Sequence, residues 1–212
     1  MTAAPLSGRR AQAARNDELI LKAAREVFVA DPTAPIAAVA ERAGVGISAL
    51  YRRYGSKEDM LRRLCADGLA TYIRIAETAL ASTDPPWETF VAFARSVVAA
   101  DTHAMTISLA GTFTTTPELM DLAQRCDERV RAVIEQAHAA GVLRHDVTHT
   151  DFGLLFEQLS SVRRGSPERT AELRERYLAL LLDSLHIPPQ HEPLPGPPPR
   201  PGEFADRWVK RS

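Results

Sequence analysis

Cysteine is nearly absent. Cys65 and Cys126 are the only two in 212 residues, which excludes a disulfide scaffold and a four-cysteine zinc site and suits a reducing compartment. No run approaches the ~18 apolar residues of a membrane span. The N-terminus, MTAAPLSGRRAQAARNDE, is basic but has no apolar stretch, so it does not read as a secretory signal. Strict alternation of apolar and polar residues is missing, and with it any reading as strands or hairpins. Net charge is also nearly absent: 26 Lys+Arg balance 27 Asp+Glu to leave −1, which by itself argues against a nucleic-acid partner. What remains is a chain that is 45% hydrophobic and 25% charged, long enough for one large domain or two small ones and for a real core. A cytoplasmic all-α protein is the expectation.

The charge average conceals a gradient. Residues 1–64 carry 11 basic and 7 acidic groups, and residues 65–212 carry 15 and 20. A basic third is thus joined to an acidic remainder, a pattern that suits a local anionic partner. About nine helices follow from spacing and punctuation. Residues 1–15 read as a flexible basic arm. Asn16 or Asp17 then caps a helix with Ile20, Ala24, Val27 and Phe28 on one face. Two short helices flank Gly44 and end at Gly55. Ser56 caps a long helix running to about Ala81. Further helices start at Pro86, near His103, at Thr116-Pro117, at Thr150 and at Ser166-Pro167. Eight of the 15 prolines lie between Pro188 and Pro201, so 188–212 reads as an extended tail whose PLPGPPPRP could serve a PxxP reader. Phe204 to Lys210 could dock back through Trp208.

The densest signal is PIAAVAERAGVGISALYRRYGSK, residues 35–57. Two helices too short to stand alone are joined by a glycine-bearing turn, the pattern of a helix-turn-helix whose second helix enters a major groove. Leu50 and Tyr54 face inward. Ile47, Ser48, Arg52 and Arg53 face out, and guanidinium forks onto guanine or onto phosphate. Lys57 opens the next helix, where unpaired N–H groups also attract phosphate. Arg9, Arg10 and Arg15 could add charge in the minor groove.

The run AERAGVGISALYRRYGSKEDMLRRL resembles the DNA-binding region of tetracycline-repressor-like (TetR) transcriptional regulators, over about residues 16–69. The matching positions are Ala43-Gly44-Val45, Leu50-Tyr51, Tyr54 and Ser56-Lys57-Glu58. The resemblance implies that Tyr51, Arg53 and Lys57 grip phosphates and that Ile47, Ser48 and Arg52 face bases. The chain departs from the pattern in three places: Gly46 replaces a serine cap, Ile47-Ser48 replaces a polar residue and a glycine, and Pro35 replaces a threonine cap. On this reading 16–62 is the DNA-binding domain and 63–187 the ligand-binding and dimerisation domain. The function is then a ligand-responsive repressor on a palindromic operator.

A single helix-turn-helix makes few contacts, so a dimer on two half-sites is the expected route to affinity. Phe152, Leu155, Leu159, Tyr177, Leu181 and Leu185 are the candidate interface, with Phe156 and Leu180 beside them. Trp87, Phe90, Phe93, Met105, Phe113, Met120, Cys126 and Phe156 are candidates for an apolar pocket taking a hydrophobic or aromatic effector. The long helix from Ser56 would carry the signal between them. No cofactor is expected. RHDVTHTD, with His145 and His149, reads as a solvated turn, not a metal site. No catalytic set stands out, so an enzyme is not expected. The alternative is a helical small-molecule-binding or interaction protein without specific DNA binding.

Overall fold

The computed structural model describes residues 8–186, 193–200 and 203. Among them lie nine helices and no strand: α1 Gly8–Ala30, α2 Ile36–Ala43, α3 Ile47–Tyr54, α4 Lys57–Leu80, α5 Pro86–Ala100, α6 Thr102–Leu109, α7 Pro117–Ala139, α8 His149–Ser161 and α9 Pro167–Leu185. The all-α expectation holds. Most boundaries fall where the caps put them. Ser56, Thr116 and Ser166 each accept a bond from the backbone three residues on.

Two boundaries differ. α1 begins at Gly8, well ahead of Asn16, so part of the expected arm is helix, consistent with its alanine-rich sequence. Residues 1–7 lie outside the described residues. α8 begins at His149 behind a Thr148–Asp151 capping box, so Thr150 is inside the helix. Pro35 is the N-cap of α2, with no side-chain bond to offer it. The proline-rich segment also touches the body: Leu194 N donates to Asp146 Oδ2 at 2.8 Å, while Phe204 to Lys210 lie outside the described residues.

The interior forms two cores. The first gathers Ile20, Ala24 and Phe28 of α1, Val39 of α2, Leu50 of α3 and Met60, Leu61 and Leu64 of α4, with Met105, Leu109, Phe113 and Leu119 closing it from the C-terminal side. The second holds Phe90, Phe93, Val133, Ile134, Phe152, Phe156, Leu178 and Leu182. α4 belongs to both: its first half supplies the head core, while Tyr72, Ala76 and Ala79 enter the body core. At 1.5 Å per residue its 24 residues make a strut of about 36 Å.

The join between α5 and α6 is sharp. Asp101 sits at φ 49°, a left-handed conformation uncommon for a non-glycine residue. Its carboxylate lies 3.0 Å from buried Arg174 of α9, which also donates to Ser160 O and Val162 O. That brace delivers His103 to the interior.

Candidate nucleic-acid interface and ligand cavity

The turn between α2 and α3 is closed by the backbone. Gly44 at φ 68° caps α2, and Val45 N donates back to Ala40 O at 3.0 Å. Gly46 caps α3 with no side-chain bond, as its lack of a hydroxyl dictates. Leu50 is fully buried and docks α3 on the head core. Tyr54 is half-buried, and burial raises its pKa. The opposite face is open: Ile47, Ser48, Tyr51, Arg52 and Arg53 are all exposed. Spacings of one, four and five residues place Ile47, Ser48, Tyr51 and Arg52 on one helical side.

After α3 the chain reverses at Gly55, φ 74° and ψ −58°, where Ser56 N donates to Tyr54 O at 2.8 Å in a γ-turn. A Cβ at Gly55 would lie 3.1 Å from Asp59 Oδ2, so both the conformation and the space favour glycine.

Two candidate phosphate ligands have partners within the chain. Arg53 is ion-paired with Asp17 of α1. Lys57 is half-buried: Nζ donates to Pro32 O at 3.0 Å and lies 5.2 Å from the Phe28 ring centroid. Burial lowers its pKa. Arg62, one turn on, pairs with Glu58 and Asp59 and donates through Nε to Thr114 O at 2.9 Å. That bond ties the first turns of α4 to the loop before α7.

Between α4, α6, α7 and α8 lies a cavity of about 580 Å³. Its wall is mostly apolar: Cys65, Leu69, Met105, Leu119, Met120, Ala123, Cys126 and Val130, with Gly68 and Gly153 leaving room. Polar groups converge from Tyr72, Thr102, His103, Thr115, Asp127, His149, Thr150 and Glu157. The His103 ring stands edge-on to Tyr72 at 5.2 Å and tilts against Phe156 at 5.3 Å. Burial pushes the His103 pKa down to about 4 and holds the ring neutral. It also raises the Tyr72 phenol, helped by nearby Asp127, and pushes both thiols up to about 12.

Only Met105, Met120 and Cys126 of the eight expected pocket residues line this space. Phe90, Phe93, Phe113 and Phe156 are core instead, each at most 2% exposed. Trp87 packs on Phe90 and His186. Large rings fill space, and a cavity persists where they are missing. Tyr72, His103, Asp127, His149 and Glu157 escaped the sequence reading. Small residues at Gly68, Ala123 and Gly153 were the available signal.

The expected dimer face is corrected in a similar way. Phe152, Leu159 and Leu185 are buried within their own chain. α9 turns Arg174, Leu178 and Leu182 inward, which rotates Tyr177 and Leu180 out to solvent. Leu155 and Leu181 are half-buried. His149 opens α8 beside Asp127 at 3.3 Å. No group of three His, Cys, Asp or Glu placed to hold a metal occurs among the described residues.

A helix-turn-helix head with an open second helix, sharing a strut with a helical body that contains a ligand-sized cavity, is the architecture of a DNA-binding transcriptional regulator. The family model for bacterial regulatory proteins of the tetR family matches residues 20–64. The C-terminal domain model of SbtR-like transcriptional regulators matches residues 85–187. The chain belongs to the TetR family.

Solved structures agree on the fold. The TetR regulator SCO0520 from Streptomyces coelicolor is 25% identical, with TM-score 0.56, covering 80% of this chain and 97% of that one. A TetR regulatory protein from Mycobacterium vanbaalenii is 25% identical, with TM-score 0.57, covering 84% and 99%. The ketosteroid regulator KstR2 of Mycobacterium tuberculosis is 21% identical, with TM-score 0.59, covering 82% and 96%. No curated protein sequence is a significant match.

Proposed function

We propose that the chain is a cytoplasmic homodimeric repressor, released from a palindromic operator by a small effector. α3 reads the operator: Ile47, Ser48 and Arg52 face bases, and Tyr51, Arg53 and Lys57 hold phosphates. Residues 16–62 form the reading head and 63–187 the effector and dimerisation body. The α8–α9 face bearing Leu155, Tyr177, Leu180 and Leu181 meets its counterpart.

One observation carries the ligand-responsive part of this reading. The cavity lies across the seam of the two cores, with Cys65, Met105 and Leu119 of the head core on its wall beside Tyr72, Cys126 and Val130 of the body core. A ligand there touches both halves of α4, and a shift of that strut changes the separation of two heads on a dimer. Arg62 supports a second link, because its partner Thr114 adjoins lining residue Thr115.

The test is selection of bound fragments from genomic DNA, followed by titration of the best fragment against random duplex over a salt series, with the mass of the free protein measured by light scattering. A palindromic site bound by a dimer is the expected result. Equal affinity for random duplex at every salt would leave only a helical ligand-binding protein.

A further inference from the structure

The wall of the cavity divides by exposure. Met120 and Asp127 stay in solvent, and the Asp127 carboxylate is already paired, with Arg131 at 2.8 Å and with His149 at 3.3 Å. The buried part is mostly apolar but holds Tyr72 of α4 and His103 of α6, which are 9% and 8% exposed. Buried Thr150 also lines it and is engaged, its Oγ1 2.7 Å from Thr148 Oγ1. The other two polar groups are different. His103 Nδ1 has Thr102 Oγ1 at 3.4 Å, while neither His103 Nε2 nor the Tyr72 hydroxyl has a hydrogen-bond partner among the described residues. Their rings meet edge-on, with centroids 5.2 Å apart. A buried polar group left unpaired costs free energy, so two side by side on one cavity wall point to a partner that the chain itself does not supply.

We propose that the cavity takes an uncharged ligand whose apolar body carries an oxygen, a carbonyl or a hydroxyl, held by Tyr72 and His103. This rests on the reading of the cavity as the effector site and adds the chemical class of the ligand. The Tyr72 hydroxyl donates to that oxygen. With the Thr102 hydroxyl donating to Nδ1, the proton of the neutral imidazole lies on Nε2, which makes a second donor. Burial pushes the His103 pKa down to about 4, so the ring is uncharged at neutral pH. The body of the ligand packs on Met105, Leu119 and Val130. A charged ligand would lose its hydration against these side chains and meet no uncompensated charge, because Asp127 has its two partners and Glu157 is engaged as well. A plain hydrocarbon would fill the same space and leave both polar groups unpaired.

Four naphthalenes of nearly one shape separate these cases by equilibrium dialysis against the full chain in the absence of DNA: the ketone 2-acetylnaphthalene, its hydrocarbon analogue 2-isopropenylnaphthalene, the anion 2-naphthoate and the cation 2-naphthamidine. The ketone is expected to bind about tenfold more tightly than either ion. Tyr72→Phe removes one oxygen and keeps the ring that packs on Phe93 and His103. It should weaken the ketone about fivefold and leave the hydrocarbon unchanged, and His103→Leu should act in the same direction. The ratio of ketone to hydrocarbon affinity is read within each variant, so a general loosening of the cavity moves both probes and not the ratio. Tyr72→Phe alone serves if the histidine variant does not fold, with helix content read by circular dichroism. An ion bound as tightly as the ketone, an unchanged ratio in either folded variant, or no binding of the ketone overturns the inference. Ketone binding through Tyr72 that fails to release the protein from its DNA site leaves the inference standing and removes the effector-responsive reading.

Discussion

α3 carries its chemistry on eight consecutive residues, whereas the cavity draws its lining from four helices and a loop between Cys65 and Glu157. The outward side chains of α3 stay in solvent, with one anchor, Leu50, underneath. Part of the cavity's lining is removed from water, although Met120 and Asp127 stay exposed, and burial shifts the titration of the buried groups: the His103 imidazole down, the Tyr72 phenol and both thiols up. A reader of a charged polymer gains from exposed, mobile cations. A pocket for a small molecule gains from fixed, dry walls with few polar points. The two regions meet on α4, which contributes to both cores.

The most severe way to test that contrast is to remove the anchor. Leu50→Ala should cost about 3 kcal/mol, as deletion of a fully buried leucine does. DNA binding should be lost while probe binding at the cavity survives. Thermal unfolding, gel shift and probe titration on one preparation check this. Loss of both activities together would show head and body to be one cooperative unit through α4.

The second test acts on the body. In the unfolded chain the His103 ring takes a proton near its ordinary value of 6.5, but in the fold it resists until about 4. Between those values the unfolded chain binds more protons. Stability should therefore fall as pH drops from about 6.5 to about 4, by up to about 3 kcal/mol, with no contribution above that window. Urea denaturation across this range should show a shallower slope for His103→Gln than for the parent chain.

The third sharpens the division of labour on the head. Arg52→Ala should cost about 1–3 kcal/mol on the preferred duplex and little on others, whereas Lys57→Ala should weaken all duplexes alike. The Pro32 and Phe28 contacts of Lys57 add a further expectation: its loss should also lower Tm, which that of exposed Arg52 should not. Equal effects of both on every sequence would refute the assignment. The smallest effect is local. Ser56→Ala removes the cap bond to Asp59 N and should cost about 1 kcal/mol, read as a modest drop in Tm.

The head was legible in sequence because its instructions are local. Gly44 and Gly55 mark left-handed turns, Ser56 marks a cap, and Leu50 against Arg52 and Arg53 marks inside from outside. The body was legible only as helices. Its aromatic residues were read as pocket because aromatic rings suit apolar ligands, yet Phe90, Phe93, Phe113 and Phe156 sit in the cores. On α9 the buried stripe runs through Leu178 and Leu182, and a stripe one residue out of phase reads almost as well from a leucine-rich segment.

The sequence by itself determined the helices, the caps at Ser56, Thr116 and Ser166, the helix-turn-helix and the exposed basic face of α3. These depend on interactions within a few residues, and neighbours in the chain suffice to specify them. Only the tertiary structure decided where the cavity lies, that Asp127, His149 and Glu157 border it, that His103 is neutral, and that Arg53 and Lys57 have internal partners. Each of those facts depends on which distant helices pack together and on the space they leave unfilled.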